Sequence, residues 1–254
     1  MTHNWRLLDF SCDSVYSNLA TEEALIECCQ AGIFTPTVRL WINQPAAIVG
    51  RFQDVDLEVD EEFCIRNSVR IARRFTGGGT VYHDEGNLNL TILSEKRDIR
   101  DLQVIGRRNL LVIQETLLQF GVESTVNPPN SVLVSGKKIS GASAAVRRNY
   151  VLWHASLLVS TSLESIARAL YPSREPARTD SVRSRWQPVT NLATLLGRPV
   201  AIHEAKKQVI DTIETILGNE LRGSKLTSCE EETAKRLHDE EYSTAKWNKK
   251  GLTL

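Results

Sequence analysis

The chain has 254 residues, enough to bury a sizeable core as one large domain or as one domain with a small appendage. Lysine plus arginine equals aspartate plus glutamate at 31 each. That balance argues against nucleic acid or an anionic membrane as a partner, and no run nears the roughly 18 apolar residues of a membrane span. The N-terminus, Met1-Thr2-His3-Asn4-Trp5-Arg6, does not read as a signal peptide, so the expected compartment is the cytoplasm. Cys12, Cys28, Cys29, Cys64 and Cys229 are odd in number and scattered without a CxxC pair, which predicts reduced thiols rather than disulfides or a zinc site.

In chain order, Asp13-Ser14 opens a helix that carries Leu19, Glu22, Glu23 and Ile26 at helical spacing and stops by Gly32. Thr37 to Trp41 and Ala46 to Gly50 are short β-prone runs joined by Asn43-Gln44-Pro45, which predicts a hairpin. Val59 to Asn67 reads as helix, and Arg70 to Phe75 and Leu88 to Leu93 as strands around a glycine-rich connection. Leu102 to Phe120 is a helix with Val104, Leu110, Leu111, Ile113, Leu117 and Leu118 on its apolar side, closed by Gly121. Strands are expected at Val132–Val134, Lys138–Ser140 and Val151–Val159. Helices are expected at Leu163–Leu170, Asn191–Leu196, Ile202–Leu217 and Glu230–Glu241. Strands dominate the first two thirds and helices the last, so the fold class is α+β. Gly218 to Ser228 reads as a short joint before a C-terminal helical extension.

The densest chemical signal is Arg73-Arg74-Phe75-Thr76-Gly77-Gly78-Gly79-Thr80-Val81-Tyr82-His83-Asp84-Glu85-Gly86-Asn87. Three glycines between strands fill no core, and their physical use is to let backbone amides approach an anion. Two arginines before them suit a phosphate or carboxylate. A flexible hairpin with a solvated basic flank is the alternative for the glycines alone. The arginines before them and His-Asp-x-Gly-Asn after them favour a binding loop. In Ser135-Gly136-Lys137-Lys138-Ile139-Ser140-Gly141-Ala142-Ser143, a lysine between glycines can aim its ammonium into a cleft, although such turns are commonly surface hairpins. His154, in Leu152-Trp153-His154-Ala155-Ser156-Leu157-Leu158-Val159, is a lone histidine in an apolar strand, more often a hydrogen-bonded core residue than a catalyst.

These segments resemble, in order, the motifs of the lipoate–protein ligase family. RRFTGGGTVYHDEGN is similar to RRxSGGGxVxHDxGN, GKKISGASA to (R/K)KxxGxA with its essential lysine, and HASLLV to HGxLL. Arg183-Ser184-Arg185 with Val189-Thr190-Asn191-Leu192 resembles SxRxxVxNL, and Ile48-Val49-Gly50-Arg51-Phe52-Gln53 also fits. The tail, Glu241-Tyr242-Ser243-Thr244-Ala245-Lys246-Trp247-Asn248, and Leu152-Trp153-His154-Ala155 are most like the two-part archaeal-type ligases.

The resemblance implies a mixed central sheet with flanking helices, a fold shared with biotin–protein ligases and, distantly, class II aminoacyl-tRNA synthetases. It implies one catalytic domain over 1–254, with 218–254 as the helical extension and no C-terminal accessory domain. It also implies two half-reactions. Lipoate and ATP give lipoyl-AMP, and the lipoyl group then passes to a lysine of a carrier, either a lipoyl domain or a glycine-cleavage-H-like protein. By motif match Lys138 is the catalytic residue. Arg73, Arg74, Gly77, Gly78, Gly79, Thr80, Val81, Tyr82, His83 and Asn87, with Lys138, would bind ATP and lipoyl-AMP. His154, Ser140 and Gly141 would line the lipoate pocket. Mg²⁺ would accompany the phosphates, and a separate accessory subunit is the expected partner.

Two departures stand out. The family's Asn-Asp-(Leu/Ile/Val) is Asn130-Ser131-Val132 here, which leaves the metal ligands unassigned, and Ala155 replaces a glycine. An ATP-independent lipoyl or octanoyl transferase would need a cysteine nucleophile near the lysine, and residues 122 to 153 contain none. That alternative therefore ranks below the ligase, and so does a non-catalytic lipoate-binding module, which would have lost Lys138 or the arginines that remain here.

Overall fold

The structure, a computed structural model, describes residues 5–30, 32–171 and 182–250. Strand β1 (Trp5–Asp9) leads into helix α1 (Val15–Gln30), followed by β2 (Thr37–Trp41), β3 (Ala46–Val49), α2 (Val55–Glu58), α3 (Glu61–Arg66), β4 (Arg70–Arg73), β5 (Val81–His83) and β6 (Asn87–Glu95). Next come α4 (Asp101–Gln119), β7 (Thr125–Asn127), β8 (Ser131–Val134), β9 (Lys137–Arg147) and β10 (Tyr150–Leu158). The last third holds α5 (Leu163–Ala169), α6 (Leu192–Leu196), α7 (Ile202–Leu217), β11 (Leu221–Gly223) and α8 (Ser228–Leu237). Two π-helical turns, His238–Tyr242 and Lys246–Lys250, follow.

Eight strands make one mixed sheet in the order β11-β1-β2-β6-β10-β9-β8-β7, and β4-β3-β5 make a second. Within the large sheet β1 runs parallel to both of its neighbours and the other pairs are antiparallel. The chain thus forms the expected α+β architecture, a mixed central sheet with flanking helices. Alternation along β6 sorts the two faces. Leu88, Leu90 and Ile92 join Leu110, Ile113 and Leu117 of α4 and Val209 and Ile213 of α7 in the main core. Asn87, Asn89 and Thr91 lie on the other face, where Thr91 donates to Glu22 of α1. α1 is buried on nearly every side because it lies between this face and α8.

Several expectations need correction. Thr37–Trp41 and Ala46–Val49 are not a hairpin. β2 pairs with β1 and β6, whereas β3 pairs with β4 and β5 in the other sheet. The connection is pinned instead by Asn18, which donates to the Ile42 carbonyl and to Asn43 Oδ1. The helix expected at Val59–Asn67 is α3, shorter at both ends and N-capped by Asp60, and an unexpected short helix, α2, N-capped by Asp54, precedes it. Val104, Leu111 and Leu118 of α4 face solvent, and Ile105, Leu110, Val112, Ile113 and Leu117 are the buried set. Residues read as a joint after Gly218 carry β11, which pairs with β1 at the sheet edge.

Cys28 and Cys229 form a disulfide between α1 and α8, against the expectation of reduced thiols, while Cys12, Cys29 and Cys64 are free. Long-range packing brings that pair together, which local spacing does not show. Residues 251–254 of the expected extension lie outside the described residues. Among the described residues no helix is long and apolar enough to cross a membrane.

Candidate functional site

Between β4 and β5 the chain makes the glycine loop. A Cβ on Gly50, at the end of β3, would lie 2.0 Å from the Gly78 carbonyl oxygen, so the loop can rest there only on glycine. Gly78 itself takes φ +89°. Arg74 holds the loop from beneath. Its guanidinium donates to the Gly77 and Gly79 carbonyls at 2.6 and 2.8 Å, to Ile48 O at 3.1 Å and to Thr76 Oγ1 at 3.0 Å. Burial, and then the neighbouring Arg73 charge, pull its pKa down to about 10.

Gln53 ties the loop to the segment beyond α5. Its Oε1 accepts from the Gly50 amide at 3.1 Å and from the Thr80 hydroxyl at 2.9 Å, and its Nε2 donates to Ser184 Oγ at 3.0 Å. Ser184 Oγ also accepts from the Thr80 amide at 2.7 Å, and Glu58 accepts from both Ser184 N and Arg183 Nε.

Two contiguous cavities, of about 450 and 590 Å³, open beside this loop. Leu19, Trp41, Ile48, His83, Asn89 and His154 line the first. Val81, Tyr82, Leu158, Leu170, Tyr171 and Trp186 line the second. Lys138, Gly141, Thr80, Ser184 and Arg185 border both. Lys138 stands at a register shift between β8 and β9 and is locked by its backbone. Its amide donates to Pro188 O at 2.7 Å, and its carbonyl accepts from Thr190 N at 3.0 Å. The side chain folds back over Gly141, where a Cβ would lie 2.8 Å from Nζ. Among the described residues no carboxylate or other acceptor pairs with Nζ, and burial, then the Arg74 charge, lower its pKa. Exposed Arg185 at the same junction likewise has no partner among them. A junction of unpaired cations is built to receive an anion.

The first cavity's floor is one row across the sheet: Trp41, Asn89, Ser156, Gly141 and Ser131 are paired in register. Arg39, Thr91, His154 and Ser143 form the next row. Beneath them Glu22, fully buried, pairs with Arg39 at 2.8 Å, accepts from Thr91 at 2.5 Å and meets His154 Nδ1 at 3.4 Å. Burial raises the Glu22 pKa, but the His154 hydrogen bond, Arg39 and Thr91 together outweigh it and hold the carboxyl below its usual value. His154 Nε2 reaches Thr76 Oγ1 at 2.9 Å. The Thr76–His154–Glu22 chain has the order of a nucleophile relay, yet Thr76 is only 1% exposed and lines neither cavity. The chain therefore orients the imidazole. His83 Nδ1 faces Asn43 Nδ2 at 3.0 Å, and burial, then Arg74 and His154, pull its pKa to about 3. It is neutral, with Nε2–H as its donor.

Of the residues expected in the site, Arg74, Gly78, Gly79, Thr80, Val81, His83, Lys138, Gly141 and His154 line the first cavity, and Tyr82 and Ser140 line the second. Arg73 does not join them. Its guanidinium donates to the carbonyls of Gly50, Gln53, Trp247 and Lys249, so it is consumed in holding the C-terminal turns. Gly77 lies behind the loop against Phe52, and Asn87 donates to Asn89. Asp84 and Gly86 are architectural: Asp84 accepts from Gly86 N and Ser162 N, and a Cβ on Gly86 would strike Ser160 and Thr161. Glu22, Gln53, Asn89, Ser184 and Arg185 belong to the site without having been assigned to it. Glu22 and Glu23 on an apolar helix face were the available signal for the first.

For the expected Mg²⁺ the described residues offer no ready-made cluster of protein ligands. Among the described residues no three His, Cys, Asp or Glu side chains converge, and neither cavity lining contains a carboxylate. Ser131 occupies the lining where an aspartate would have supplied one.

A mixed sheet carrying a glycine loop, with a lysine unpaired among the described residues at the meeting of two cavities, defines an α+β domain with a ligand-binding cleft. Residues 14–214 match the lipoyl protein ligase A/B catalytic domain, and the chain belongs to that family. Lipoate-protein ligase A subunit 1 of Thermoplasma acidophilum is 31% identical over 91% of this chain and 90% of its own length. Among solved structures, the bi-partite lipoate protein ligase described with its E2 lipoyl domain from the same organism superposes with a TM-score of 0.85 at 28% identity, covering 99% of this chain and 98% of that one. A lipoate-protein ligase A bound with ATP gives 0.84 at 29% identity, covering 99% and 100%.

Proposed function

We propose that this chain activates lipoate with ATP and transfers the lipoyl group to a lysine of a lipoyl carrier domain. The observation that carries the reading is Lys138, an ammonium without a counter-ion among the described residues, where the two cavities meet. The second cavity, with Trp186, Tyr171 and Tyr82 around the glycine-loop backbone, suits a purine. The first, with Leu19, Trp41 and Ile48, suits an alkyl chain. A carboxylate at the inner side of Lys138 then faces an α-phosphate at the outer side.

In the first half-reaction a carboxylate oxygen attacks the α-phosphorus. One P–O bond forms, the bond to pyrophosphate breaks, and the gathering negative charge falls on Lys138 and Arg185. In the second, the carrier amine attacks the acyl carbon, Lys138 holds the carbonyl oxygen as it becomes anionic, and AMP leaves. A thioester route lacks its nucleophile: the free cysteines line neither cavity, and burial pushes Cys29 up to about 12 and Cys64 up to about 11. The bi-partite description of the archaeal relative supports a separate accessory chain as partner, with an E2-type lipoyl domain as acceptor.

The test is pyrophosphate release with lipoate and ATP, alone and with the accessory chain. Lys138→Ala is expected to lose about 10²–10³-fold in rate while keeping its melting temperature. Exposed Lys137 supplies the control, and Lys137→Ala should match the wild type. Near-wild-type adenylation by Lys138→Ala would overturn the assignment.

A further inference from the structure

The inner end of the first cavity is not wholly apolar. Asn89 is 3% exposed, lines that cavity, and its Nδ2 has no acceptor in the structure. Its orientation is set from behind: Asn87 Nδ2 donates to Asn89 Oδ1 at 3.0 Å, which leaves the Asn89 amino group as the unspent end of the side chain. His83 supplies a second neutral donor in the same wall, since its Nδ1 is occupied by Asn43 and its Nε2 carries the proton. Two donors among Leu19, Trp41 and Ile48 would be a liability if a bare hydrocarbon were the only occupant, because an unpaired buried donor is destabilising.

Position along the row says which part of the substrate they meet. Lys138 lies over Gly141, Gly141 pairs with Ser156, and Ser156 pairs with Asn89. Two strand spacings put Asn89 roughly 10 Å from the lysine end. That is the reach of an extended octanoyl backbone. With the carboxylate at Lys138, the distal end of the acyl chain arrives at Asn89.

We propose that Asn89, seconded by His83, is a specificity-determining residue that favours an acyl chain bearing hydrogen-bond acceptors at its distal end, the disulfide sulfurs of lipoate, over the methyl terminus of octanoate. The inference rests on the acyl-adenylate reading above. Thioether and disulfide sulfur accept weakly, so the discrimination is modest, about ten-fold.

Calorimetric titration with two non-hydrolysable acyl-sulfamoyl adenosines, one lipoyl and one octanoyl, isolates the distal end, because everything outward of it is shared. Wild-type protein is expected to bind the lipoyl analogue about ten-fold more tightly. Asn89→Leu fills the same space without the donor and should bring the two affinities within about two-fold, by loosening the lipoyl analogue and tightening the octanoyl one. Equal wild-type affinities would overturn the proposal, whether or not the variant folds. So would an unchanged ratio in a folded Asn89→Leu protein. Failure of the wild type to bind either analogue would overturn the acyl-adenylate reading itself, and is thus distinguishable from tight binding without discrimination.

Discussion

Replacing Glu22 by glutamine keeps the side-chain volume and removes one buried charge. Both members of the Glu22–Arg39 pair have fully buried side chains, so the loss leaves a guanidinium in the interior without a counter-ion. Breaking such a pair typically costs about 3–5 kcal/mol. The lower end applies, because Arg39 keeps the Asn18 carbonyl at 3.2 Å and Asn18 Oδ1 at 2.6 Å, and lies 4.9 and 5.1 Å from the ring centroids of Trp41 and Phe10. At about 2–4 °C per kcal/mol for a domain this size, Glu22→Gln should melt about 6–12 °C below the wild type by calorimetry at neutral pH. The Glu22 carboxyl is held below its usual value of 4.5. A depressed carboxylate stabilises above its unfolded pKa, so the wild-type advantage should persist at neutrality and fade as the pH falls through the lowered value. Arg39→Met combined with Glu22→Gln should destabilise less than the two single changes added together. A Glu22→Gln protein melting within about 2 °C of wild type would refute the account of the buried pair.

Gly50→Ala drives a Cβ into the Gly78 backbone carbonyl, a contact with no flexible atom to yield. It should lower stability by about 1–3 kcal/mol in a denaturant titration and weaken ATP binding in the same protein, with intact affinity as the contrary result. Gly141→Ala meets only the mobile end of Lys138, at 2.7 Å from Cε and 2.8 Å from Nζ. Its melting temperature should stay near wild type while pyrophosphate release falls at least ten-fold. His83 has a folded pKa of about 3 against 6.5 when free, so the unfolded chain binds the extra proton between those values. Stability should be full above about pH 6.5 and drop by about 1.4 kcal/mol per unit as the pH falls through the window. A His83→Gln variant lacking that acid limb is the outcome to look for, and identical acid limbs would refute it.

The fold was legible where local chemistry is periodic and obscure where it is not. α1, α4 and α7 sat close to their expected bounds because apolar spacing and a following glycine marked them. The sequence predicts only three residues of β9, Lys138–Ser140, whereas the strand runs from Lys137 to Arg147. Its Gly-Ala-Ser-Ala-Ala core lacks β-branched side chains, and what keeps it extended is pairing with β10, a long-range fact. β1 and β11 escaped notice for the same reason, since each is a short segment whose partner lies elsewhere in the chain. The missed break between β2 and β3 shows a turn signal, Asn-Gln-Pro, that is genuine without closing a hairpin. Asn43 there is spent on Asn18 and His83, and the chain leaves one sheet for the other.

The site was legible as a motif and only partly as a set of roles. Arg73 and Arg74 look equivalent in the sequence, yet they spend their donors in opposite places. Arg73 holds the carbonyls of the C-terminal turns while Arg74 holds those of the glycine loop, and strand alternation at the end of β4 already implies such a split. Within His83-Asp84-Glu85-Gly86-Asn87 the same division recurs: His83 faces the cavity, while Asp84 and Gly86 bind the end of β10 and the start of α5. The motif is dense because one short stretch must both shape the loop and fasten it. Lys138 is the contrasting case. Its sequence signal was the weaker one, a lysine in a glycine turn, but nothing in the described structure satisfies its charge. A half-buried ammonium with no partner among the described residues, in a fold that pairs Arg6 with Glu230, Arg39 with Glu22 and Arg147 with Glu23, suits an anion supplied by a bound substrate.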